Sequence, residues 1–182
     1  MEGYKFLHVE TLDGYPIPGT PSDAIGNLAL VKLEIPDDAT VVYPVNKDYY
    51  CSNFSASSLS HKDFYKMKKY VKAKKCRCNK AKFVEVIRYF SGESSPRNCF
   101  RGTILYSMTC DLQPSDLIFK SMWDPNFIYK FNEYVKPDGL DEDILWECSN
   151  GIHFCRTAED AIDYIETCDY DVIMDKEETK WV

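Results

Sequence analysis

Nine residues, Asn27–Ile35 (NLALVKLEI), alternate closely enough to dictate an extended strand. Leu28, Leu30 or Val31, Leu33 and Ile35 are expected to point one way. Pro36-Asp37-Asp38 ends the run. Lys82–Phe90 (KFVEVIRYF) is dense in β-branched and aromatic residues and predicts a second strong strand. A sheet is therefore the framework of this fold. Tyr4–Glu10, Thr40–Val45, Arg101–Thr109, Phe127–Val135 and Gly151–Cys155 read as further strands, with a last short one at Asp171–Met174. Pro44 puts the Thr40–Val45 strand at an edge. Asp13-Gly14 suits a tight turn, and the proline- and glycine-rich stretch Pro16–Gly26 is a loop.

Helix signals are fewer. Ser60 is placed to cap a helix from His61 to about Lys74, with Phe64 and Val71 on one face and lysines on the others. Pro114–Trp123 reads as a short helix or a loop. Thr157 opens a helix through Glu166, with Glu159 and Asp160 in its first turn and Ala158, Ala161, Ile162 and Ile165 on its packing face. Strands and helices do not alternate regularly. The expected fold is α+β: one domain over residues 1–175, with a largely antiparallel or mixed sheet of six to eight strands and two or three helices. A charged tail over residues 176–182 follows.

The 182 residues are 45% hydrophobic and 28% charged, so the chain can build a core and is not disordered as a whole. No apolar run approaches the ~20 residues of a membrane-spanning helix. The first residues, MEGYKFLHVETLDG, lack a basic stretch followed by an apolar one, so no secretory signal is expected. Net charge is −7, but its distribution is uneven. His61–Arg88 carries eleven Lys/Arg against two acids, whereas the residues from Pro137 onward carry fourteen acids against three bases. Lys62, Lys66, Lys68, Lys69, Lys72, Lys74, Lys75 and Arg77 form a candidate basic patch for an acidic protein partner. The acidic remainder argues against a general nucleic-acid binder. Of eight cysteines, only Cys76-Arg-Cys78 forms a close pair, with no second pair or His beside it. That spacing does not describe a zinc site, and no metal is expected. Without a signal peptide the thiols are expected to be free.

Phosphate-binding glycine loops, HExxH and GxSxG are all missing from the sequence. One segment stands apart: Cys148-Ser-Asn-Gly151-Ile-His153-Phe154-Cys-Arg-Thr157. In it a glycine permits close backbone approach, a short buried strand follows, and a capped helix comes next. Together with Lys32–Ala39 and Lys75–Glu85, this stretch resembles an uncharacterised domain family of large double-stranded DNA viruses and some protists. There the domain stands alone or beside pentapeptide repeats. The resemblance spans about Tyr4 to Ile165 and implies a viral component in the host cytoplasm or the virion, with capsid or other viral proteins as partners. It implies no activity.

Gly-Ile-His-Phe followed by a helix is also similar to the nicotinamide-pocket strand and helix of ADP-ribosyltransferases. That likeness implies NAD as cofactor. His153 would replace the pocket tyrosine, Tyr164 would stack on the ring, Lys5 or His8 would contact the ribose, and Glu133 or Glu177 would act as the late carboxylate. Gly151, His153, Phe154 and Tyr164 are then the pocket candidates. The plainer reading makes His153 a hydrogen-bonded core histidine. Three functions stand at this point. The first is a non-enzymatic protein-binding or structural domain. The second is an ADP-ribosyltransferase-like enzyme or degenerate NAD pocket, and the third is a nucleic-acid-binding module using residues 61–88.

Overall fold

In the computed structural model, residues 1–20, 26–44, 71–72, 75–93, 104–143, 149–166 and 173–174 are described. The architecture rests on β1 (Glu2–Thr11) and β2 (Gly26–Glu34), which pair antiparallel from Glu2↔Glu34 to Val9↔Asn27. The other edge of β2 pairs with β6 (Ala81–Glu93), with irregular register between Leu30 and Leu33. β6 in turn pairs with β7 (Ile104–Met108) and, near its start, with β10 (Tyr134–Val135). All of these pairs are antiparallel.

β2 is buried on both faces, although one was expected, and Leu28 packs in a different cluster from Leu33 and Ile35, an odd number of residues away. Leu28 and Leu30 pack with Phe6, Phe90, Cys155, Ala161 and Ile165. Ala29, Val31, Leu33 and Ile35 pack with Leu7, Val9, Phe83, Phe119 and Phe154. The second interior exists because the sheet curls. β8 (Leu117–Ser121) pairs with β1, and β9 (Ile128–Tyr129) pairs with β8. The chain then turns at Asn132, whose φ is +62° and whose N–H donates to the Phe83 carbonyl at 2.7 Å. It reaches β6 through Phe131 and β10. Residues 128–135 therefore link β8 to β6. Phe83 meets Phe119 edge-on at 4.8 Å and Phe131 at 5.4 Å across the enclosed core. This turn also divides the single strand expected at Phe127–Val135.

The remaining edge of β1 is shared. Tyr4 pairs with Cys155 of β11 (Ile152–Cys155), whereas Leu7–Thr11 pair with β8. Lys5 and Phe6 lie between the two partners, so β8 and β11 part from β1 at that point. β11 leads on to β5 (Lys75–Cys78) and then to the edge strand β3 (Val41–Val42). Ten strands make up this sheet among the described residues, and β4 (Val71–Lys72) pairs separately with β12 (Ile173–Met174). α1 (Ala158–Glu166) covers one face with Ala161 and Ile165. Its start is capped as the sequence predicts, with Thr157 Oγ1 accepting from the Asp160 N–H at 3.1 Å.

The expected α+β fold with two or three helices is corrected here. The structure is mostly β, and α1 is the one α-helix among the described residues. Pro114 opens a single 3-10 turn, Pro114–Asp116, and the chain then enters β8. Leu117, Phe119 and Ser121 alternate inward along that strand, so sheet pairing prevails over the helix-start signal of the proline. The helix expected to reach Lys74 meets strand residues at Val71–Lys72. Its residues 61–70, and the boundary expected at residue 175, lie outside the described residues. No helix among the described residues is long and apolar enough to cross a membrane.

Gly3 lies where β1 meets β11. A Cβ there would stand 2.5 Å from the Phe154 ring and 3.0 Å from Ile35. Gly3→Ala is expected to lower unfolding free energy by about 1–3 kcal/mol through overpacking. Gly139→Ala, with open space around it, should change it by less than about 0.5 kcal/mol. Urea denaturation of the two variants checks the contrast.

A cleft at the fork of the sheet

The fork beside Lys5 opens into a cleft of about 480 Å³. Its lining includes Lys5, Trp123, Tyr129, Asp138, Gly151 and His153. A second, much smaller pocket of about 40 Å³ shares Lys5, Trp123 and His153 and adds Lys75, Phe154 and Tyr164. Lys5 and His153 therefore belong to both hollows.

Lys5 is 8% exposed, which is rare for a lysine without a partner. Its Nζ donates to the His153 carbonyl at 3.2 Å and lies 5.7 Å from the centre of the Tyr129 ring. No carboxylate among the described residues forms an ion pair with it. Burial, and then the charge of Lys75, push its pKa down from 10.5 to about 8. His153 is neutral at ordinary pH for related reasons. Burial, then Lys75, Lys5 and Arg77, lower its pKa to about 3. Its Nε2 is buried with no hydrogen-bond partner among the described residues.

Two further cations build the walls. Arg77 lies opposite His153 in the β5–β11 pair and is fully buried. Its Nε donates to the Asp141 carbonyl at 2.6 Å, and a terminal guanidinium nitrogen donates to the Asp143 carbonyl. The Asp141 N–H reaches the Asn150 carbonyl at 3.0 Å, and the Ser149 hydroxyl bonds the Asp141 carboxylate. Arg77 thereby holds the 141–143 and 149–151 segments, and the second of these lines the cleft. Lys75 donates to the Tyr164 hydroxyl at 3.0 Å and lies 4.8 Å from the centre of that ring.

The sequence-named residues fall in different places. Gly151 adopts φ +138°, and a Cβ on it would stand 2.8 Å from Leu140 and 3.3 Å from Arg77. The close approach its sequence position suggested is therefore to this chain's own loop and strand. His153 lines the cleft and is not sealed in the core. Phe154 is buried and packs beneath Gly3. Tyr164 carries the Lys75 ammonium over its ring. Lys5, one of two residues proposed for the first strand, lies at the centre of the site, whereas His8 is on the far side of the fork beside Lys120. Glu133 is exposed, 3.9 Å from Lys130, and lines neither hollow. Asp124 and Asp138 are the carboxylates at the cleft. Glu177 lies outside the described residues.

In the basic patch, Lys62, Lys66, Lys68, Lys69 and Lys74 also lie outside them, Lys72 is in β4, and Lys75 and Arg77 point inward. Cys76, Cys78, Cys110 and Cys155 are free thiols. Burial raises Cys76 and Cys78 to about 11. Trp123, Tyr129 and the 137–139 loop were not marked in the sequence as site residues. They come from three separate chain segments, and no spacing rule joins them.

A family model described as "Family of unknown function (DUF5758)" matches residues 3–161. The chain belongs to that family. The matched span contains the whole fork, including Lys5, Lys75, Arg77, Gly151 and His153, and ends within α1 before Tyr164. It bears out the resemblance to an uncharacterised family. No curated protein and no solved structure matches the chain.

A buried ammonium with one carbonyl acceptor destabilises the unliganded protein. Lys5→Met is expected to raise unfolding free energy at pH 7 by roughly 1–3 kcal/mol. Between about pH 8 and 10.5 the unfolded chain keeps the Lys5 proton and the folded protein releases it, so wild-type stability rises with pH across that window. The advantage of the variant should therefore shrink as pH rises through it. Chemical denaturation at pH 7 and pH 10 measures both the gain and its decline.

Proposed function

We propose that this domain is a binding module for a small organic anion, received in the cleft at the sheet fork with Lys5 as its counter-charge. The observation that carries the reading is the buried Lys5 ammonium, which lines a cleft of about 480 Å³ and has no acidic partner among the described residues. An anion entering the cleft relieves the cost of that charge. Lys75 and Arg77 add to the positive potential, and, after burial, these cations also lower the His153 pKa.

Trp123, 56% exposed, offers an aromatic face at the rim. Asp124 and Asp138 stand at the same rim and disfavour ligands of high negative charge. A cleft of this size is on the scale of small-molecule sites. The likeness of the Gly151–Phe154 strand to an NAD-pocket strand supports the same location and makes NAD one anion to try. Placement of this binding role in a large DNA virus, in the host cytoplasm or the virion, draws its support from the sequence resemblance.

A thermal-shift panel of L-lactate, benzoate and NAD, against sodium chloride at matched ionic strength, tests the reading. At ligand near ~100 times Kd a real site adds roughly 2.7 kcal/mol, seen as several degrees in Tm. The shift should vanish in Lys5→Met. A panel without any Lys5-dependent shift would count against an anion site.

A further inference from the structure

We infer that Lys5 is a carbonyl-capturing nucleophile, whose side-chain amine condenses with a small 2-oxo acid held in the cleft to form an imine. The inference rests on the anion-binding reading and adds a covalent step to it.

Four observations lead there. The Lys5 Nζ spends one hydrogen bond on the His153 carbonyl at 3.2 Å. Its other N–H directions meet no hydrogen-bond acceptor among the described residues. Lys5 is itself buried and lies beside the Tyr129 ring, with Phe127 and Trp123 also among the cleft's lining, so a bound carbonyl carbon meets a largely desolvated amine. Burial, and after it the field of a second ammonium, that of Lys75, favours the neutral form, which holds its pKa near 8 and supplies free amine at neutral pH. Finally, neutral His153, whose buried Nε2 has no partner among the described residues, lines the same cleft. Lys75 itself is committed to the Tyr164 hydroxyl.

The step balances without an oxidant or reductant. Lys5 first releases a proton to solvent. The amine nitrogen then forms a bond to the carbonyl carbon, and a proton passes from nitrogen to the former carbonyl oxygen. A carbinolamine hydroxyl results. It leaves as water with one proton, and the C=N bond forms. Protonation of the imine restores one positive charge at the Lys5 nitrogen. The carboxylate of a 2-oxo acid lies next to that charge, so its ion pair survives the chemistry. This is why an oxo acid fits the site better than a simple aldehyde.

The test is reductive trapping on the full chain. Protein is incubated with pyruvate and sodium cyanoborohydride, and adducts are located by peptide mass mapping. Lys5 is expected to carry the reduced carboxyethyl group on the order of tenfold more than any other lysine, given its larger free-amine fraction. Lys5→Arg keeps the charge and should still be stabilised by L-lactate, yet lose the adduct at that position. Mapping the wild-type chain keeps the test valid even if the variant folds poorly. Labelling of Lys5 no higher than that of surface lysines, while lactate still stabilises the protein, overturns the covalent step and leaves anion binding in place. Absence of both trapping and lactate stabilisation overturns the two together.

Discussion

β1 serves two partners along one edge, and the rest of the site depends on that division. A strand has one row of hydrogen-bonding groups per edge. In β1 the start of that row goes to β11 and the end goes to β8. The two partners leave in different directions: β8 curls toward β9 and the enclosed aromatic core, and β11 continues outward to β5 and β3. The residue at the parting, Lys5, loses a neighbouring strand and gains a cleft. A chain that paired β1 with a single long partner would have no such opening.

The fork also sorts three buried cations in an acidic protein. All three act on His153 through the field, and each is compensated differently. Arg77 is satisfied by main-chain carbonyls, which accept its fork of donors without adding a charge to the interior. Lys75 has a phenol and its ring. Lys5 has one carbonyl and a ring at 5.7 Å. The first two arrangements fix loops and helix against the sheet. The third leaves a charge on the cleft wall that no carboxylate among the described residues neutralises. Such a group is costly to stability, and stability lost at a site is a common companion of function.

Local pattern and tertiary context were legible to different degrees. NLALVKLEI and KFVEVIRYF identified strands that lie side by side in the structure, because β-branched alternation is a local property. The Thr157 cap and the acids after it identified α1 for the same reason. Leu117–Ser121 was misjudged because five residues with a proline just ahead give a weak local signal, and the pairing partner, β1, is more than a hundred residues away. The burial of β2 on both faces was hidden as well. Alternation shows that two faces exist, and the closing of the sheet by residues 128–135 decides that both are covered.

At the site, Gly151 and His153 were readable from their own segment, since glycine before a short apolar strand is a local oddity, whereas Lys5 entered only through the likeness to a nicotinamide pocket, as an alternative to His8. Their meeting was not readable. Lys5 and His153 lie at opposite ends of the chain, and Tyr129 and Trp123 come from between. The basic run was equally plain in the sequence, yet Lys75 and Arg77 are buried because α1 and the 141–143 segment cover them, Tyr164 accepting from Lys75 and two main-chain carbonyls from Arg77. By itself the sequence determined which segments extend, where one helix begins and which residue types are unusual, since these follow from near-neighbour sterics and side-chain chemistry. The tertiary structure alone decided which strand shares its edge, which charges are buried and where a cleft opens, since these depend on contacts between segments far apart in the chain.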